Sequence, residues 1–290
     1  MHINMKYYIV TIGAIFISLG IGILVGFNLN YDQELSKQQA QIIDDLDAKF
    51  EDLRKNNNEL EALLKDTNAE YDELVNYINN NSDKLISEEL TDQNIGIISI
   101  NNNINNEYIE NCIGKANGNI VFNINLNSNI TDKTTLKEIS TKLGTEINST
   151  EELIAYISDC LKDDNSKETL EYLQELKVLD LNKLEDNYSA YTSVVLSSDG
   201  NAKDNEAQFE SIDKLLIEKL REEKKNLVAV ESLDTKTSNI KLYSDNKVTT
   251  IDNINQGSGQ LALVLVLKDG NVVGDFGVSD TATSLIPYKK

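Results

Sequence analysis

The sequence predicts an α/β protein: a single N-terminal transmembrane helix, a coiled-coil stalk, then a doubly wound, mainly parallel sheet domain. Three observations predict it. Residues Tyr7 to Leu29 run without a charge. From Ile43 onward, apolar residues recur alternately three and four apart. Beyond residue 90, short apolar runs of strand type alternate with amphipathic helical patterns, which is how βαβ units read. The chain therefore divides into a cytoplasmic tail and anchor over 1–30, a stalk over 31–90 and an extracytoplasmic domain over 91–290.

The anchor comes first. Its 23 uncharged residues, at about 1.5 Å each, reach roughly 34 Å, enough to cross a hydrocarbon core. Thr11, Ser18 and Asn28 are its only strongly polar members. Lys6 sits on the short N-terminal side, while Asp32 and Glu34 open the other. Positive charge favours the cytoplasm, so the N-terminus is expected inside and the domain outside. Tyr7, Tyr8 and Tyr31 bracket the run, where interfacial aromatics belong. A cleaved signal peptide is the rival reading. The run is longer than an ordinary signal core and no A-x-A site follows it, so it reads as an uncleaved signal anchor. Gly22 and Gly26 form a GxxxG pair, which lets two membrane helices approach closely.

The stalk follows. With Ile43 at heptad position a, the a series is Ile43, Phe50, Asn57, Leu64, Tyr71 and Ile78, and the d series is Leu46, Leu53, Leu60, Thr67 and Leu74. Nine of these eleven are apolar, counting Tyr71, and most other positions are polar, which is the pattern of a coiled coil. Asn57 at an a position fixes register by pairing with its copy across a parallel homodimer. Phe50 and Tyr71 are bulky for a two-stranded core, and a stalk folded back on its own domain is the competing arrangement. Asn79-Asn80-Asn81-Ser82 ends the heptads, with a few more helical residues reaching toward Leu90.

In the domain, strands are expected at 95–100, 120–126, 192–196, 227–230 and 248–251, and helices near 107–113, 132–143, 149–161, 166–176 and 208–225. The run Leu261 to Leu267 suits either a buried strand or a helix. Gln256-Gly257-Ser258-Gly259 before it resembles a loop and cap, which favours the helix.

Charge and chemistry narrow the function. The net charge is −21. Lys6 is the only charged residue of the first 31, so the remainder carries about −22 and repels nucleic acid. The single histidine, His2, precedes the anchor, which leaves no His-based triad or zinc site in the outer domain. There is no Walker loop and no GxGxxG after a strand, and Asp275-Phe276-Gly277 lacks every other kinase motif. Asp199-Gly200-Asn201 with Asp204 lacks EF-hand spacing and reads as a solvated loop. An enzyme is not expected, and no cofactor is required. The two cysteines, Cys112 and Cys160, admit three readings: two buried thiols, a disulfide, or a Cu(I) pair.

Both ends of the chain resemble one family. Lys6-Tyr7-Tyr8-Ile9-Val10, Phe16, Leu19-Gly20-Ile21-Gly22 and Gly26 are similar to the start of the copper-transport MctB family, also described as SteB. Gly259 with the apolar run to Leu267, then Gly274-Asp275-Phe276-Gly277, Ala282 and Leu285-Ile286-Pro287, resembles the family's G-x-[YF]-G…A…LP ending. The resemblance implies a membrane protein contributing to copper efflux or envelope passage, with copper as its cargo. Its SteB members imply the alternative: a non-catalytic, dimeric scaffold of the cell envelope or division site. Family members often carry His after the first Tyr, where this chain has Tyr8. Partners expected are the membrane, a second copy of the chain and envelope proteins.

Overall fold

The charge-free run and the heptads merge into one element. In the computed structural model, which describes residues 5–100, 106–198 and 205–288, α1 (Met5–Ile86) is an unbroken helix of 82 residues. Only this helix, among the described residues, is long and apolar enough to cross a membrane. The chain forms two compact units, 1–72 and 73–290. In the first, α1 is a lone helix. Its seam residues Ile43, Leu46, Phe50, Leu53, Leu60, Leu64 and Tyr71 are 50–61% exposed.

The second unit begins with the last turns of α1. Here Ile78 packs against the apolar core and Ile86 is fully buried within it. Ile78 therefore serves its own domain, which corrects its place in the intermolecular seam. The helix stops at Ile86, and the turn that follows passes through Glu88 and Asp92 at positive φ and buries Leu90.

Seven strands then form one sheet: β1 (Asn94–Ile100), β2 (Asn119–Leu126), β3 (Leu179–Leu184), β4 (Ser193–Ser198), β5 (Asn226–Val230), β6 (Thr249–Ile251) and β7 (Asp275–Phe276). Their order is β3-β2-β1-β4-β5-β6-β7. Every neighbouring pair is parallel except β2 with β3. The expected doubly wound α/β fold is present.

The helices are α2 (Glu107–Lys115), α3 (Lys133–Leu143), α4 (Thr150–Leu161), α5 (Lys167–Glu175), α6 (Asn205–Gln208), α7 (Lys214–Glu222), α8 (Ile240–Asp245) and α9 (Gly257–Asp269). Their ends follow local chemistry. Asp132 and Ser149 accept backbone N–H groups as N-caps of α3 and α4, and Gly144 and Gly270 close α3 and α9 in the left-handed conformation. A π-helical turn, Phe209–Asp213, joins α6 to α7.

Alternation along the strands sends side chains to two cores. Ile98, Ile100, Ile124, Leu126 and Leu196 meet α3, α4, α5 and α7 on one face. Ile95, Ile97, Val195, Val228 and Val230 meet the end of α1, α2 and α9 on the other. Leu261 to Leu267 is thus the buried helix that the preceding loop suggests. A bulge between Ile95 and Gly96 breaks the β1–β2 register. A Cβ at Gly96 would lie 2.1 Å from the Phe122 ring, so glycine makes room for that ring, which stands edge-on to Tyr191 at 5.0 Å.

Candidate functional site

In doubly wound sheets ligands bind beyond the carboxyl ends of the strands, where the strand order reverses. In this sheet that point lies between β1 and β4. The segments leaving both strands, 101–105 and 199–204, lie outside the described residues, and the Asp199-Gly200-Asn201-Asp204 loop lies there too. So do Met1 and His2.

The described rim is polar and buried. Asn106, at the start of α2, donates from Nδ2 to Ser99 Oγ at 2.6 Å and to Asn123 Oδ1 at 3.4 Å. Asn123 donates in turn to Glu110 Oε1. Further along the same edge, Glu231 follows β5 and Asp252 follows β6. Glu231 Oε2 accepts the Asn239 N–H at 3.0 Å beside the start of α8. Burial pushes its carboxyl up to about 7, with the nearby Asp252 charge acting in the same direction against bonds from Ser238, Asn239 and Ile240.

Asp252 fastens the C-terminal segment. Its carboxylate accepts Val278 N at 2.9 Å, Ser279 N at 2.8 Å and the Ser279 hydroxyl. Gly277 has a φ of 133°, and a Cβ there would lie 1.8 Å from Asp252 Oδ1. Gly257 and Gly259 permit a second close approach. A Cβ at Gly257 would be 2.7 Å from the Asn79 backbone, and one at Gly259 would be 2.1 Å from the Asn253 carbonyl. Asn79 Oδ1 also accepts Ser258 N at 2.8 Å, so the end of α1 caps the start of α9. The described rim is a set of latches between elements.

The structure does not bring the two cysteines together. Cys112, on α2, lies in the core shared with α1 and α9, while Cys160, on α4, lies in the core on the other face of the sheet. Both are buried and free. Neither a disulfide between them nor a Cu(I) ion shared by them fits this geometry. Burial pushes the Cys112 thiol up to about 12 and the Cys160 thiol up to about 11. The described residues hold no group of three or more His, Cys, Asp or Glu placed to bind a metal. Gly22 and Gly26 lie on α1 with open space at each Cβ position, and Asn57 lies on its exposed length.

Glu231, Asp252 and Asn79 are not singled out by the sequence alone. Their legible signal is position: the first two follow short β-branched strands directly, and the third sits in the asparagine run that ends the heptads.

A helix with a stretch long and apolar enough to cross a membrane, followed by a doubly wound α/β domain, is the layout of a membrane-anchored protein. The chain belongs to the family described as copper transport outer membrane protein, MctB, which matches residues 2–287. No curated protein matches it.

Proposed function

We propose that this protein is a non-catalytic, self-associating membrane anchor that serves copper passage through the envelope by assembling partners, not by ligating the metal itself. Its N-terminus is cytoplasmic and its α/β domain lies outside, as Lys6 and the acidic residues after Leu29 favour. The carrying observation is the uncovered apolar seam of α1, with seven heptad residues at least half exposed in a single chain. In water such a stripe demands a partner, and a parallel second copy matches its heptads and Asn57. The copper role rests on family membership. The assembling role is favoured by the chemistry of the soft ligands: both cysteines are buried as protonated thiols in separate cores.

Two measurements test this. A deletion strain should be copper-sensitive, and the chain carrying Cys112→Ala and Cys160→Ala should restore resistance fully. Normal growth in copper with misshapen cells would remove the copper role and leave an envelope or division-site scaffold. Stoichiometric Cu(I) binding by the purified protein against a competing chelator, lost in either cysteine variant, would show direct ligation instead.

A further inference from the structure

We propose that the cavity at the amino ends of β5 and β6 is an anion site that takes the phosphate group of a small phosphate ester.

The cavity lies at the opposite edge of the sheet from the polar rim. Its floor is formed where β5 and β6 begin, at Asn226 and Thr249. Its volume is about 230 Å³, below the size of sites for drug-sized molecules, so it suits a small ligand. Three cationic side chains line it: Arg221 from the last turn of α7, Lys225 from the turn after α7, and Lys247 from the turn after α8. Among the described residues, no acidic one lines it. This is the reverse of the chain as a whole, whose net charge is −21. An acidic surface repels anions, and a local concentration of cations overcomes that repulsion at one place.

The fold does not consume these three charges. None has an ion pair among the described residues. Arg221 donates one Nη2 bond to the Asn246 carbonyl at 2.6 Å, which leaves most of its donors. Lys225 Nζ donates to the Tyr191 carbonyl at 2.7 Å and stands 3.7 Å from the centre of the Tyr191 ring. Burial there holds its ammonium below the usual lysine range, with the Lys162 charge acting the same way against Glu223. Glu223 is itself paired with Lys162 and Lys219.

Basic residues near helix ends ordinarily serve the last carbonyls of the helix. Here backbone N–H groups hold those carbonyls instead. Lys224 N and Lys225 N bond to Arg221 O and Leu220 O, while Lys247 N and Val248 N bond to Ser244 O and Tyr243 O. The cationic side chains are left for a ligand. A guanidinium fork with two ammonium groups is a donor set that holds a tetrahedral oxyanion, the fork by paired hydrogen bonds and the lysines as point charges. The exposed Asn271 side chain adds a polar group for the organic part of the ester.

Calorimetric titration of the full chain in neutral detergent at low salt tests the site, with inorganic phosphate and glycerol 3-phosphate as probes. Both should bind saturably at one site and compete with each other, while glycerol should not bind. Arg221→Gln and Lys247→Gln should each weaken binding by about tenfold or more, with thermal unfolding unchanged. Lys241→Gln removes the same charge from α8 outside the cavity and should leave binding as it was. No binding of either probe would overturn the proposal, as would binding that neither cavity variant weakens. Equal weakening by Lys241→Gln would reduce the effect to general electrostatics, which also overturns it. Bilayers then distinguish two sources of the same chemistry. At raised salt, where repulsion between bilayer and probe is screened, glycerol 3-phosphate binding lost in phosphatidylglycerol but kept in phosphatidylcholine would make the occupant a lipid headgroup. Binding kept in both would make it a soluble phosphate ester.

Discussion

Glu231 carries the clearest consequence at the scale of a single residue. Its carboxyl is pushed up to about 7 in the fold from an ordinary 4.5. Between those values the folded chain holds a proton that the unfolded chain has lost. Its contribution to stability is therefore full below about 4.5 and is lost as pH rises through about 7. Denaturant titrations should show the native protein losing on the order of 2–3 kcal/mol from this group over that window, while Glu231→Gln flattens the profile there. An unchanged profile in the variant would mean that Glu231 is solvated. The thiols make a matching prediction. With Cys112 fully buried and its thiol pushed up to about 12, iodoacetamide at pH 8 should modify it only after unfolding, as intact-mass measurement would record. Rapid labelling of the folded chain would contradict that burial.

At the scale of elements, two contacts show how the fold is joined. The close approach of α9 to the loop after β6 depends on Gly259. Gly259→Ala sets a methyl against the Asn253 carbonyl and should cost about 1–3 kcal/mol in thermal or urea unfolding. A neutral result would mean that the loop can yield. On the other face, Glu223 follows α7 and accepts from Ser158 Oγ at 2.9 Å on α4, with Lys162 at 3.0 Å and Lys219 at 3.7 Å. One nearly buried carboxylate thus draws three donors from two helices and ties them together. Most of these elements were legible beforehand: the expected helices and strands from 95 onward lie within a few residues of those observed. The exceptions are instructive. β3 is a short antiparallel edge strand, and β7 has only two residues. β7 is too short to show a period, β3 carries Asp180, Asn182 and Lys183 among its six residues, and each pairs with a neighbouring strand. α8, six residues long, is likewise too short for a helical stripe.

At the scale of the whole molecule, assembly is the open quantity, and Asn57 is its most informative position. Asn57→Leu should raise the thermal stability of the detergent-solubilised protein and broaden its distribution of oligomers in sedimentation, because a polar a residue trades stability for register. A lower melting point would argue that Asn57 does not lie in a helix–helix seam.

By itself the sequence determined the apolar helix, the α/β class and the family, since each rests on local periodicity or on motifs contiguous in the chain. Tertiary structure alone decided the rest. It drew Ile78 out of the heptad seam into its own domain's core, placed Cys112 and Cys160 on opposite faces of the sheet, and gave Gly257, Gly259 and Gly277 their purpose. These depend on contacts between residues far apart in the chain, and periodicity carries no record of which distant surface a residue will meet.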